Sequence, residues 1–219
     1  WGSLARKLAH EIRNPLTPIQ LTIDRLREKY SNLLKEKDSE NFKDNLKIIN
    51  NQIKQIGNLV NEFSDFARMP KPTLRENNMV SILNENIKLL KELDNSIIIN
   101  LSTNPDKIIL NCDKEQISRV FLNLIKNSIE SIQQKAKNES NFNKKITIEV
   151  TEKNDHINLV IVDNGIGFGK LSKNIKHILN PYFTTKKNGT GLGLAISKKI
   201  IEDHQGEINI ESSEKGTKV

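Results

Sequence analysis

Four groups of residues in this chain have types and spacings suited to chemistry. The first is His10, with Glu11 beside it and Asn14 one helical turn on. A neutral imidazole is a good nucleophile near pH 7, and an adjacent carboxylate can hold or remove the proton of the other ring nitrogen. Neighbours at i and i+1 do not share a helix face, so Glu11 must bend round, or the backbone must distort, for that contact. In the second group Asn123 and Asn127 share one helix face, with Lys126 beside them. Amide oxygens are hard ligands that suit a Mg2+ held mostly by water and phosphates, and a lysine can offset phosphate charge. The third group is Asp163-Asn164-Gly165-Ile166-Gly167, and the fourth is Gly189-Thr190-Gly191-Leu192-Gly193-Leu194. Glycines let backbone N–H groups approach phosphates, and a carboxylate at a strand end can accept a hydrogen bond from a base amino group. Either glycine cluster alone reads equally well as an ordinary turn.

These residues need elements to hold them. Apolar residues fall at Leu4, Leu8, Ile12, Leu16, Ile19, Ile23, Leu26 and Tyr30, then at Phe42, Leu46, Ile49, Ile53, Ile56, Val60, Phe63 and Ala67. Steps of three and four residues predict two amphipathic helices, the second with a heptad seam, joined as an antiparallel hairpin. One apolar stripe per helix buries little, so two hairpins forming a four-helix bundle by dimerisation is the economical arrangement. The alternative is a monomeric hairpin packed on the rest of the chain. His10, Asn14 and Thr17 lie off the seam and should face solvent. Pro15 and Pro18 deny N–H groups to the carbonyls of Glu11 and Asn14, which predicts a kinked or loosened helix just after His10.

Arg68-Met69-Pro70-Lys71-Pro72-Thr73-Leu74 breaks the helical pattern, and its prolines favour an extended connection. The division expected is a hairpin over 1–68, a linker over 69–77 and a second domain over 78–219. There, helices are predicted over 80–93, 115–135 and 192–204. Strands are predicted over 97–101, 107–111, 146–151, 157–162 and 207–212. This is an α/β arrangement with the helices gathered on one face of a mixed sheet.

The string His10-Glu11-Ile12-Arg13-Asn14-Pro15-Leu16-Thr17-Pro18-Ile19 resembles the H-box of two-component sensor histidine kinases, in the form of the NtrY and NtrB nitrogen-regulation sensors. The second domain resembles the GHKL (Bergerat) ATP-binding domain of histidine kinases, Hsp90, MutL and type II topoisomerases. Asn123 to Asn127 matches the N-box, the two glycine clusters match the G-boxes, and Pro181-Tyr182-Phe183-Thr184-Thr185-Lys186 matches the F-box. The resemblance covers nearly the whole chain. It implies a dimeric four-helix bundle followed by an α/β two-layer sandwich, with ATP and Mg2+ as cofactors. It implies that His10 is phosphorylated, that Glu11 is the general base, and that Asn14 positions a water for dephosphorylating the partner. Asn127 would bind Mg2+, Asp163 the adenine amino group, and residues 164–190 would form a mobile lid. Further nucleotide contacts are implied for Asn123, Lys126, Gly165, Gly167, Phe183, Thr184, Gly189, Thr190, Gly191, Leu192, Gly193 and Leu194. Lys186 and Lys187 either reach a phosphate when the lid closes or stay solvated. The partner implied is the receiver domain of a response regulator, NtrX-like by analogy. The family continues past Gly216-Thr217 with another core strand, so the last strand is expected to be cut short. A cytoplasmic catalytic fragment is expected, from a parent with a sensor and inner-membrane segments upstream.

Composition narrows the alternatives. The net charge of +7 comes from 34 basic against 27 acidic residues, interspersed along the chain, and aromatics make up only 5%. Stacking platforms for single strands are therefore scarce, and nucleic acid is not expected as a partner. One cysteine, Cys112, excludes an intrachain disulfide and a cysteine metal site, and it reads as a small buried residue. No apolar run approaches the roughly 20 residues that span a bilayer, and no signal peptide opens the sequence. His156 and His177 have no evident chemistry. His204 falls in the last turn of a helix, where a partly charged ring would meet the dipole favourably. Glu130 reads as a solvated helix residue or a water-bridged neighbour of Mg2+. A chaperone-like ATPase would have no use for the His10 string and the two-helix seam. A phosphatase-dominant sensor would keep Asn14.

Overall fold

The computed structural model describes residues 2–31, 33–34, 36–93, 96–139, 141–154, 156–169, 175–181, 183–184, 189–213 and 215–219. They group into two units: Trp1–Pro70 with Thr184–Leu192, and Lys71–Phe183 with Gly193–Val219.

The first unit is built on α1 (Gly2–Tyr30) and α2 (Glu36–Ala67). Early α1 residues meet late α2 residues, so the helices are antiparallel. Arg13 donates to Asn61 Oδ1, and near the connection the Ser39 hydroxyl donates to Ser31 O at 2.8 Å. Ile23, Leu46 and Ile53 form a small buried core with Leu16 and Phe42 packed against it. The rest of the seam is only partly covered: Leu8, Ile12, Ile19, Ile49 and Ile56 keep 42–46% of their surface exposed. α1 runs as one helix across Pro15 and Pro18 and is not interrupted after His10. Leu16 and Ile23, on either side of Pro18, both pack in the small core, which holds the helix together despite two missing N–H donors. The Thr22 hydroxyl donates to the Pro18 carbonyl at 2.8 Å.

The second unit opens with β1 (Arg75–Asn78), antiparallel to β3 (Ile109–Cys112). Arg75 to Asn77 fall in the expected linker, since these polar residues show no apolar alternation. Pairing with β3 and the bond from Asn77 Nδ2 to Cys112 O (2.9 Å) make them a strand. Between them lie α3 (Met79–Leu93) and β2 (Ile98–Asn104), and then come α4 (Lys114–Ala136), β4 (Lys145–Lys153) and β5 (His156–Asp163). After the short α5 (Ile175–Ile178) follow α6 (Gly193–Asp203), β6 (Glu211–Ser213) and β7 (Gly216–Lys218). The five-stranded sheet has the order β2-β4-β5-β7-β6, with β2 and β4 parallel and the other neighbours antiparallel. The expected strand over 207–212 is thus confined to Glu211–Ser213. β7 pairs with β5, and Val219 continues its bonding through N–H and C=O to Ile161, each at 2.9 Å.

Register fixes the inner face of this sheet. Ile99 pairs with Ile146, Ile148 with Ile161 and Ile146 with Asp163, so all five side chains point the same way, and all are buried. α4 supplies the facing layer with Ile117, Val120, Phe121, Leu124, Ile125 and Ile132. Asp163 is therefore a carboxylate at the last position of a core-facing row.

Candidate functional site

Asp163 keeps only 5% of its surface. The Gly165 N–H donates to its Oδ1 at 2.9 Å, and the Ser128 hydroxyl and Thr217 N–H also donate to the carboxylate. Burial pushes its carboxyl above the ordinary range; these donors and the Lys135 charge pull back without cancelling that effect. The strand end thus presents a desolvated acceptor held by this chain's own hydrogen bonds.

The glycines around it are sterically required. A Cβ on Gly165 would lie 2.2 Å from Ser131 Oγ and 2.7 Å from the Ser131 carbonyl carbon. Gly167 has φ +63°, and a Cβ there would fall 2.0 Å from Ser213 O. A Cβ on Gly216 would come within 1.9 Å of Asp163 O. Side-chain bonds frame this loop: Asn164 Oδ1 accepts the Lys145 N–H at 3.0 Å, and Ser212 Oγ accepts that of Phe168 at 2.8 Å. Ser128, Ser131, Gly216 and Thr217 were not singled out as site residues in the sequence. Ser128 lies one residue past Asn127, and that adjacency is the signal that could have found it.

α4 carries Asn123, Lys126 and Asn127 past the same strand end. Its start is fixed by Asp113, whose side chain accepts the N–H groups of Glu115 and Gln116. Asn127 is half-buried and Lys126 exposed. Asn123 Nδ2 donates to Gly193 O at 3.3 Å, tying α4 to the first turn of α6. The Ser197 hydroxyl donates to the same carbonyl at 3.0 Å. Among the described residues no group of three or more His, Cys, Asp or Glu side chains could hold a metal ion. A single amide oxygen from Asn127 therefore fits a Mg2+ whose other ligands are phosphate oxygens and water, and does not fit an all-protein cage.

Gly189, Thr190, Gly191 and Leu192 group with the first unit, whereas Gly193 and Leu194 begin α6 in the second. Gly191 has φ +69° and Leu192 is fully buried. Within the first unit the Thr190 hydroxyl donates to Glu62 Oε2. Phe183 is half-buried and its N–H donates to Asn180 O at 3.3 Å; Thr184 is exposed. Lys186, Lys187, Tyr182 and Thr185 lie outside the described residues. In α1, His10, Glu11 and Asn14 are all exposed, as their places off the seam require.

His204 joins two helices. It follows the end of α6, and its Nε2 accepts the Asp113 N–H at 3.0 Å. Its Nδ1 lies within hydrogen-bond distance of Ile200 O, at 2.8 Å. The ring thus ties the residue that starts α4 to a carbonyl near the end of α6. Cys112 is fully buried, and burial raises its thiol pKa.

Two family models match the chain. Residues 1–72 match the His Kinase A (phospho-acceptor) domain, and residues 112–219 match the histidine kinase-, DNA gyrase B- and HSP90-like ATPase. An NtrY-like sensor histidine kinase of Rickettsia bellii, so named, is 37% identical over 99% of this chain and 34% of its own length. The nitrogen regulation protein NtrY of Azorhizobium caulinodans is 35% identical over 99% of this chain and 27% of its own. The chain thus spans about a third or less of the length of these curated relatives. Among solved structures, histidine kinase ThkA in complex with response regulator protein TrrA matches with a TM-score of 0.67 at 27% identity. That match covers 99% of this chain and 59% of the other. Full-length ShkA in complex with AMPPNP shares the fold, with a TM-score of 0.71 at 16% identity over 99% of this chain and 44% of that one.

Proposed function

This chain belongs to the sensor histidine kinases, and from that membership we propose that it transfers the γ-phosphoryl group of ATP to His10 and onward to an aspartate of a response regulator. The observation that carries the nucleotide half is Asp163: a buried acceptor at a strand end, beside glycines that keep the backbone bare. A carboxylate so placed accepts the exocyclic amino group of adenine. The N–H groups at the start of α6 face phosphate, with Gly193 and Leu194 there and Gly189 to Leu192 leading in. Asn127 offers its amide oxygen to Mg2+, which would spread the charge developing on the phosphate oxygens.

The unprotonated nitrogen of His10 attacks the γ-phosphorus. A nitrogen–phosphorus bond forms as the bond to the β,γ-bridging oxygen breaks and ADP leaves, and Glu11 takes the proton from the other ring nitrogen. In the second step an aspartate oxygen of the regulator displaces the imidazole, which recovers its proton. Asn14, on the same helix face as His10, positions water for the reverse duty of dephosphorylating that aspartate. Residues 1–68 serve as dimerisation and phosphotransfer hairpin, and 78–219 as the catalytic domain. A regulator of the NtrX type suits the similarity to NtrY.

The test is incubation with γ-labelled ATP and Mg2+, with His10→Gln and Asn127→Ala alongside. Acid-labile, base-stable label on the wild type, absent from both variants, is the result expected. A wild type that binds nucleotide and takes no label, or a His10→Gln variant that keeps its label, would overturn the reading.

A further inference from the structure

Asp113 makes more bonds than a helix cap needs. Its Oδ1 accepts the N–H groups of Glu115 and Gln116, each at 3.1 Å, and so caps α4. Its Oδ2 accepts the Thr73 N–H at 2.9 Å. Its own N–H donates to His204 at the end of α6. One residue thus joins the chain leaving the linker to the start of α4 and to the end of α6. Those two helices are joined again at the nucleotide end by the bond from Asn123 to Gly193 O.

The linker changes character at this point. Arg68 still bonds to Ser64 in the helical manner. Thr73 is held by Asp113, and from Arg75 the chain is paired with β3. Only Met69 to Pro72 lie between the last helical bond and the first bond to Asp113, and Pro70 and Pro72 have no N–H to donate. Without the Thr73 bond the connection would run on to β1, and the two extra residues would add about 7 Å of reach at ~3.5 Å each. Phosphoryl transfer depends on near-attack geometry, so added slack in the tether lowers the effective concentration of one reactant at the other.

We propose that Asp113 is a positioning residue for the phosphoryl transfer: it pins the linker at Thr73 and fixes the point about which the nucleotide-bearing unit moves. It touches neither substrate nor His10 and acts through the linker. The proposal rests on the kinase reading above.

Asp113→Asn separates its two duties. An amide oxygen still caps α4, since Asn caps about as well as Asp, but the NH2 group cannot accept the Thr73 N–H. The Thr73 amide of the variant should exchange with solvent at least tenfold faster than in the wild type. Its dissociation constant for ATP–Mg2+ should stay within twofold. Its first-turnover phosphorylation of His10 at saturating ATP should fall threefold or more. Asp113→Ala, which loses the cap as well, should also lower the melting temperature. Equal Thr73 exchange in wild type and Asp113→Asn, an unchanged rate, or a fall in rate matched by a loss of nucleotide affinity would overturn the proposal. A wild type that takes no label overturns the kinase reading, and the role in transfer with it. Label on the wild type at a rate that Asp113→Asn does not alter overturns the positioning role alone.

Discussion

A glycine is worth what its missing Cβ would hit. Gly165 faces the Ser131 backbone at 2.7 Å, so Gly165→Ala should cost about 1–3 kcal/mol, read as a lower denaturant midpoint at unchanged m-value. Gly193 meets nothing nearer than 4.0 Å at the start of a helix. Gly193→Ala should therefore be neutral or gain up to about 1 kcal/mol in the same assay. Half-buried Asp113 and buried Asp163 respond to pH in opposite senses. Burial raises the pKa of Asp113, but the N–H groups of Thr73, Gln116 and Glu115, with His204, outweigh it and hold the carboxyl below its ordinary range. Its contribution to stability is full above the unfolded pKa of about 3.9 and is lost as pH falls through the folded value. The stability gap between wild type and Asp113→Ala, present at pH 7, should therefore close in acid. Asp163 is pushed up, so its contribution is full below its unfolded pKa and is lost as pH rises through the folded one. At this scale Asp163, Gly165 and Gly167 were legible, because residue type and local spacing carried their meaning. Gly216, Ser128 and the bond between Asp113 and His204 were not, since each depends on a partner far along the chain.

The elements show the same division. α4 and the β4–β5 pair were predicted to within a residue or two, because long periodic runs and a polar turn at Asn154 specify them locally. β1 was missed and β6 misplaced, because a strand of three or four polar residues is defined by what it pairs with. α1 poses the reverse problem, a clear helical pattern containing two prolines that ought to disturb it. The carbonyls of Glu11 and Asn14 are deprived of donors on the turns beside His10. Pro15→Ala should raise helix stability by up to about 3 kcal/mol. If the two missing helix bonds are what let Glu11 reach round to His10, the same substitution should slow labelling of His10. A stabilised variant that labels at the wild-type rate would make the prolines irrelevant to the chemistry.

For the molecule as a whole, the seam expected from the heptads is only half closed by one chain. Ile23, Leu46 and Ile53 are buried, while Ile12 and Ile56 keep 42% and 44% of their surface. A second hairpin would cover the remainder. Ile12→Glu combined with Ile56→Glu should shift the chain from dimer to monomer in sedimentation, with the second unit's melting transition unchanged.

The parallel alignment of β2 with β4 also sets an order of assembly. β4 and β5 are joined by a tight turn and can zip together while still isolated, but Ile98 meets Lys145 only after everything between them, α4 included, has been laid down. α4 is thus the crossover between β2 and β4, and Val162 meets Lys218 over a still longer stretch that holds α6. Refolding of the second unit should be limited by these distant closures, and β6, at the rim of the sheet with only three paired residues, should be the first strand to lift away when the native state breathes.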